Sequence, residues 1–332
     1  MWFENLVGFS EENPEQVRKN LMIQGDLLVS TVNGKSYQFG RLEIPTLSEL
    51  RDKVPFEVYK DTISISEIFG NVQLMHKDKN NFGAVFQAAS QFNLLEMVNP
   101  YITPESGISN YQFDLTQGPA CAIACGAGTI YRNYFVPLGD QIGQTLHVQV
   151  DCLEEIGKAL QNEELRLWNM KNGYALANEN GLKHISNTLK NLSLEDYNAL
   201  KGLLKIGIQW DTEVTIAEEK QIVTQVYCSA LPVSYTQIDS SYWESFARLI
   251  LEATYEATFC TALLNYNHTG NNQLFLTLVG GGAFGNDIAW IFDAIEHAVI
   301  KFKHTPLNVK IVSYRQSNPQ VSAFLERLMQ KL

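Results

Sequence analysis

Apolar residues change their spacing several times along the 332-residue chain, and each change marks a candidate element. Leu274 to Val279 is a short apolar run, the pattern of a strand buried on both faces. It runs into Gly280-Gly281-Gly282-Ala283-Phe284-Gly285-Asn286, after which Asp287 to Phe302 has helical spacing, Val309 to Tyr314 reads as a strand and Pro319 to Leu332 as a helix. Strand and helix in alternation require a largely parallel sheet covered on both faces. Upstream, Thr62 to Phe69, Phe82 to Ala89, Gly207 to Val214 and Ile222 to Ser229 are predicted strands, and Tyr242 to Leu264 a long helix. The stretch from Gly70 to Asn81 reads as connection. Ser90 to about Gln117, rich in Asn, Pro, Ser and Gly, is predicted as a loop whose length marks it as functional if the assignment holds. Ala120 to Phe135 follows as one helix of small residues, with Pro119 suited to its first turn.

The flanking segments set the domain organisation. Pro14 to Met22 is a predicted helix, Asp26 to Val32 and Ser36 to Ile44 are strands about Asn33-Gly34, and Thr46 to Lys53 is a helix. Residues 1–60 are therefore expected to be an N-terminal elaboration on a body spanning 61–332. A polar insertion at about 151–205 holds candidate helices Asp151 to Gln161, Asn178 to Leu189 and Ser193 to Leu203, and offers a surface for a protein partner. A 45% hydrophobic content suffices for one large α/β core.

Composition then narrows the chemistry. A formal net charge of −11 excludes wrapping nucleic acid through a general basic surface, so a polyanionic ligand would need a local site built from backbone N–H groups. No run approaches a membrane span and the start, Met1-Trp2-Phe3-Glu4-Asn5, lacks a leader pattern. Five scattered cysteines, Cys121, Cys125, Cys152, Cys228 and Cys260, contain no Cys-x-x-Cys pair and suit a reducing compartment. The expected location is the cytoplasm, or a host cytosol for a delivered effector. The six histidines show no metal-ligand spacing, so neither a metal nor another cofactor is expected.

A strand running through glycines into a helix presents several backbone N–H groups to an anion, and the glycines admit positive φ and close approach of oxygens. The loop from Gly280 to Asn286 is thus a candidate pyrophosphate cradle, although the same pattern also serves a tight turn without ligand. It carries neither the lysine of a Walker loop nor the Gly-x-Gly-x-x-Gly spacing of a dinucleotide fold. Phe284 within it could face a sugar or base, or plug the core. Asp114, just before a helix start, is placed to remain ionised and to orient water or a ribose hydroxyl, or to serve as a plain helix-terminal acid. Glu96 and Glu105 share its loop.

Taken together, Ile63 to Val72, Ala84-Val85-Phe86-Gln87-Ala88-Ala89-Ser90, the helix start at Asp114 and Leu278 to Asp287 resemble a macrodomain, in particular its poly(ADP-ribose) glycohydrolase branch. The likeness covers roughly residues 60–135 and 270–332. It implies a three-layer α/β sandwich on a mixed, largely parallel sheet that binds ADP-ribose, free or attached to protein. By this resemblance Asn71 would hold the adenine, with an amide able to accept and to donate. Ser90 and Asn93 would meet the distal ribose, Gly280, Gly281, Gly282, Ala283, Gly285 and Asn286 the diphosphate, and Phe284 and Tyr314 would give stacking surfaces. Asn71 stands where that family has Asp, the triple glycine after the strand is replaced by Gln91-Phe92-Asn93-Leu94, and Asp114-Leu115-Thr116-Gln117 replaces its Gln-Glu-Glu. The implied activity is hydrolysis of ADP-ribose from protein side chains, arginine-linked among them, with Asp114 as the catalytic carboxylate and Gln117 and Glu105 assisting. A binding module without turnover is the competing expectation.

Overall fold

The central sheet contains seven strands: β1 (Arg41–Glu43), β2 (Ser64–Phe69), β3 (Val85–Ala89), β4 (Gly207–Glu213), β5 (Ile222–Cys228), β6 (Gln273–Leu276) and β7 (Asn308–Ser313). Their order is β1-β4-β5-β3-β6-β7-β2. The five strands β5, β3, β6, β7 and β2 are parallel to one another, and β4 pairs antiparallel with both β5 and β1. This computed structural model describes residues 1–55 and 59–332; residues 56–58, next to the expected boundary at 60, lie outside the described residues.

Side-chain alternation along β3 shows why helices cover both faces. Phe86 stacks at 3.8 Å on His76, in the helix Val72–Lys77, whereas the Gln87 amide donates to Thr258 Oγ, 3.0 Å away in the helix Ser240–Thr269. Most of the Ser240–Thr269 helix is buried, with Trp243, Phe246, Leu249, Ile250 and Phe259 among its core residues, and it forms the centre of its layer. The opposite layer holds Val72–Lys77 and two short helices, Gln117–Ala124 and Gly126–Tyr134. The result is the three-layer α/β sandwich on a mixed, largely parallel sheet.

Four predicted elements need correction. The strand expected over Ser36 to Ile44 divides at Phe39-Gly40: Ser36–Gln38 pairs with Leu27–Ser30 in a small separate sheet, and only β1 joins the central one. The stretch after Gly70 is helical, because the Asn71 side chain caps Val72–Lys77 by accepting the Gln73 N–H at 2.8 Å. The single helix expected over Ala120 to Phe135 breaks at Cys125, where the Gly126 N–H bonds to Thr215 Oγ at 3.0 Å. The segment 151–205 also contains a hairpin, Trp168–Lys171 with Tyr174–Ala177, turning at Asn172-Gly173.

The long loop after β3 is ordered by remote partners. A second core joins Phe3, Leu6, Val7 and Leu28 to Leu95, Met97, Ile108 and Tyr111 of the loop, over Ala127 and Ile130. The Glu11 carboxylate accepts the Ile108 N–H at 2.9 Å, the Ser109 N–H at 2.7 Å and the Tyr134 hydroxyl at 2.6 Å. Among the described residues no helix is long and apolar enough to cross a membrane. All five cysteines are free and buried.

Away from this loop, Glu256 ties the long helix to its neighbours. Burial raises its pKa, but hydrogen bonds from Arg51 at 2.6 and 2.9 Å and from Lys301 outweigh that and hold it at about 2, with Lys201 at 3.4 Å adding to the balance. A folded-state pKa below the unfolded value of 4.5 means stabilisation that is present above pH 4.5 and lost as pH falls through about 2. Glu256→Ala removes the carboxylate these three cations share and is expected to cost roughly 3–5 kcal/mol in urea unfolding at pH 7. The difference from wild type should shrink towards pH 2.

Candidate functional site

The parallel strands end on one side of the sheet, and a cavity of about 580 Å³ lies there. Its position and size suit a small-molecule site, since open α/β sheets bind ligands beyond the carboxyl ends of their strands. The walls come from the residues following four neighbouring strands: Ser90 after β3, the glycine loop after β6, Tyr314 after β7, and Gly70 and Asn71 after β2. Three strand spacings, about 14 Å, separate the two ends.

The glycine loop supplies the centre. Gly280 has φ +80°, and its carbonyl accepts the Asn286 N–H at 2.9 Å, which closes the loop. Among the described residues none accepts from the backbone N–H groups of Gly280, Gly282, Ala283 or Phe284, and all four residues line the cavity. Among the described residues no lysine, arginine or histidine lines it. These N–H groups are therefore the donors an anion would meet. Phe284 closes one side in a ring cluster with Tyr174 at 5.3 Å and Tyr235 at 5.5 Å.

Asp114 also lines the cavity, in a tight turn. One oxygen, Oδ1, accepts the Thr116 N–H at 2.9 Å and hydroxyl at 2.6 Å, which fixes the carboxylate and leaves Oδ2 without a hydrogen-bond partner among the described residues. Gln117 anchors this wall to the sheet. Its amide accepts the Ala89 N–H at 3.0 Å and donates to the Gln87 carbonyl at 2.8 Å, so it extends the bonding of β3 and positions the Asp114 turn.

Several expected site residues sit elsewhere or act differently. Glu105 is outside the cavity, with its carboxylate accepting the Leu146 N–H at 2.8 Å. Asn93 is buried behind the loop, donating to Gln149 at 2.9 Å and accepting the Leu95 N–H. Asn286 does not line the cavity; its amide donates to the Leu231 carbonyl at 2.8 Å and braces the loop from beneath. Gly281 and Gly285 are likewise absent from the lining. Asn71 lines it, but the side-chain oxygen is committed to the helix cap, so its amide hydrogens are what it can offer a ligand. Ser90 lines it with its hydroxyl donating to backbone carbonyls, and Tyr314 presents an exposed ring with the Arg315 guanidinium at 4.8 Å. Among the described residues no cluster of His, Cys, Asp and Glu could hold a metal.

Among the lining residues that sequence reasoning did not assign to the site are Glu96, Tyr174 and Tyr235. The signal for Glu96 was an acid inside the apolar run Leu94-Leu95-Glu96-Met97-Val98, and for Tyr174 the hairpin turn Asn172-Gly173 just before it.

No family model matches the chain, and no curated protein matches it. Among solved structures it is similar to poly(ADP-ribose) glycohydrolase from Thermomonospora curvata, with TM-score 0.47, 11% identity, and 94% of this chain and 95% of that one covered. It is also similar to the same organism's enzyme bound to the inhibitor ADP-HPD, with TM-score 0.45, 13% identity and coverage of 94% and 95%. The glycohydrolase from Deinococcus radiodurans in complex with ADP-ribose gives TM-score 0.43, 11% identity and coverage of 87% and 94%. These likenesses are remote, and the functional reading rests on the cavity.

Proposed function

We propose that the protein binds ADP-ribose attached to a protein side chain and hydrolyses the bond at the anomeric carbon of the distal ribose. One observation carries this: one cavity brings together the uncommitted backbone N–H groups of the glycine loop, the Tyr314 ring and the carboxyl groups of Asp114 and Glu96. The diphosphate would lie on Gly280, Gly282, Ala283 and Phe284, the adenine between Asn71 and Tyr314, and the distal ribose beside Ser90 and Asp114. A chain of net charge −11 can hold a diphosphate here because backbone dipoles bring no competing counter-ions and little reorganisation.

Departure of the substituent builds oxocarbenium character on the distal ribose. Asp114 would stabilise that charge and take a proton from the attacking water. The proposal requires no cofactor. The protein partner is the modified protein itself, with the 151–205 segment as an additional surface for it, and a cytosolic setting suits such a substrate.

Incubation with arginine-linked and with acidic-residue-linked ADP-ribosylated protein tests the reading. Release of ADP-ribose from either supports it. Measurable ADP-ribose binding with no release from either makes the protein a binding module instead.

A further inference from the structure

Besides Asp114, the cavity wall contains a second carboxyl group, Glu96, which faces the buried Arg132 guanidinium at 3.9 Å. The Glu96 side chain is 1% exposed, and among the described residues both its oxygens are buried without a hydrogen bond of good geometry, although the Tyr111 hydroxyl lies close enough to favour the charged form. Leaving a buried polar group unsatisfied costs free energy, so such a group marks either strain or function.

The loop that carries it is held firmly. Gln91 N–H bonds to the Leu95 carbonyl at 2.8 Å, the Gln91 side chain accepts the Met97 N–H at 2.7 Å, and the Glu96 N–H donates to the Tyr111 hydroxyl at 2.9 Å. Leu94 is forced to φ +65°, a backbone state that leucine rarely adopts, and its carbonyl is gripped by Arg132 Nε at 3.1 Å. Glu96 is thus held at the cavity wall by a loop whose backbone is strained at Leu94.

We propose that Glu96 is the general acid of this site, donating its carboxyl proton to the atom that leaves the distal ribose while Asp114 acts on water. This rests on the hydrolase reading above. As the bond from C1″ to the leaving atom breaks, its electron pair goes to that atom, which takes the Glu96 proton. Water then bonds to C1″, its proton passes to Asp114, and exchange with solvent restores both carboxyl groups. Two carboxyls in different surroundings divide the acid and base roles, as glycoside hydrolysis requires.

The surroundings support the protonated form. Burial pushes Glu96 up to about 8, against the pull of Arg132, whose Nη2 lies 3.9 Å away, and Asp114 adds to the rise. The other titratable groups facing it are the Tyr111 phenol on the same loop, Cys121 on the helix Gln117–Ala124 and Tyr227 on β5, and burial holds all three neutral. A neutral Glu96 also spares a bound diphosphate a second negative charge.

Leaving-group dependence tests the role. One probe is 4-nitrophenyl ADP-ribose, whose nitrophenolate leaves unaided. The other is whichever poor-leaving substrate, an alkyl ADP-riboside or arginine-linked ADP-ribose, the wild type turns over. Glu96→Gln is expected to slow the poor-leaving substrate by about a hundredfold or more while nitrophenol release stays within about threefold of wild type. The alkaline fall of the wild-type rate near pH 8 should disappear in the variant. Equal losses on both probes, or no loss on either, overturn the assignment and leave the hydrolase reading standing. A wild type that binds ADP-ribose yet cleaves neither class of substrate overturns the hydrolase reading itself.

Discussion

Asp114→Asn is expected to lower turnover of the ADP-ribosylated substrate by about a thousandfold while ADP-ribose affinity changes by no more than about threefold. Asparagine is the informative replacement because the Asp114 side chain has two tasks in the structure. Its Oδ1 closes the turn to Thr116, which an amide oxygen also does, whereas Oδ2 is the atom that would face water or the ribose. Asn keeps the turn and removes the charge. Asp114→Ala removes both, and should add a stability loss of ~1 kcal/mol of the kind seen when a helix-start cap is deleted. If the two variants lose turnover alike and only Ala melts lower, the loss is chemical and not a consequence of a displaced wall. Full activity in Asp114→Asn would move the base to another group. Isothermal titration with ADP-ribose, a release assay and a thermal melt on the same samples separate these outcomes.

How much of this site was legible in the sequence varies with how local its causes are. The strand, glycine loop and helix from Leu274 to Phe302 were readable because an apolar run, the glycines and Asp287 as cap all act within a few residues of one another. The Asp114 turn was partly readable for the same reason. The Val72–Lys77 helix was missed although its cap, Asn71, was in view, since one short helical turn has too little apolar periodicity to show. The break at Cys125 depends on Thr215, far away in sequence, and no local pattern announces it. The loop from Ser90 to Gln117 is the extreme case. Its order comes from Glu11, Asn133 and Asn172, whose side chains satisfy its backbone from other parts of the fold. Without those partners in view, Glu96 could not be distinguished from Glu105 as the acid that reaches the cavity. The hairpin at Asn172-Gly173 was a different kind of miss, because its turn signal was local and was outweighed by the polar, helix-like residues around it.

Gly280→Ala is expected to weaken ADP-ribose binding by about a hundredfold or more and to destabilise the fold by roughly 2–5 kcal/mol. A β-carbon at this position would lie 2.4 Å from the Ala230 Cβ and 2.7 Å from the Asn286 amide nitrogen. The first of these is fixed to the backbone and cannot swing aside. The residue also needs φ +80°, so the substitution adds left-handed strain to overpacking. Relief requires Gly280 to shift, and its carbonyl is what closes the loop through the Asn286 N–H, so the row of N–H groups at Gly282, Ala283 and Phe284 would lose its alignment on the ligand. Gly282→Ala is the control two residues away. No atom lies within 4 Å of a β-carbon there, and its φ is not positive, so its melting temperature should match wild type. Any loss of affinity in Gly282→Ala would then report contact with the ligand alone. A triple glycine that looks uniform in sequence would thus divide into one residue required by the backbone and one that is only beside the bound molecule. Equal stability in the two variants would show that the loop accommodates the added β-carbon of Gly280→Ala by moving without cost, and with it the claim of a rigid diphosphate cradle would fall.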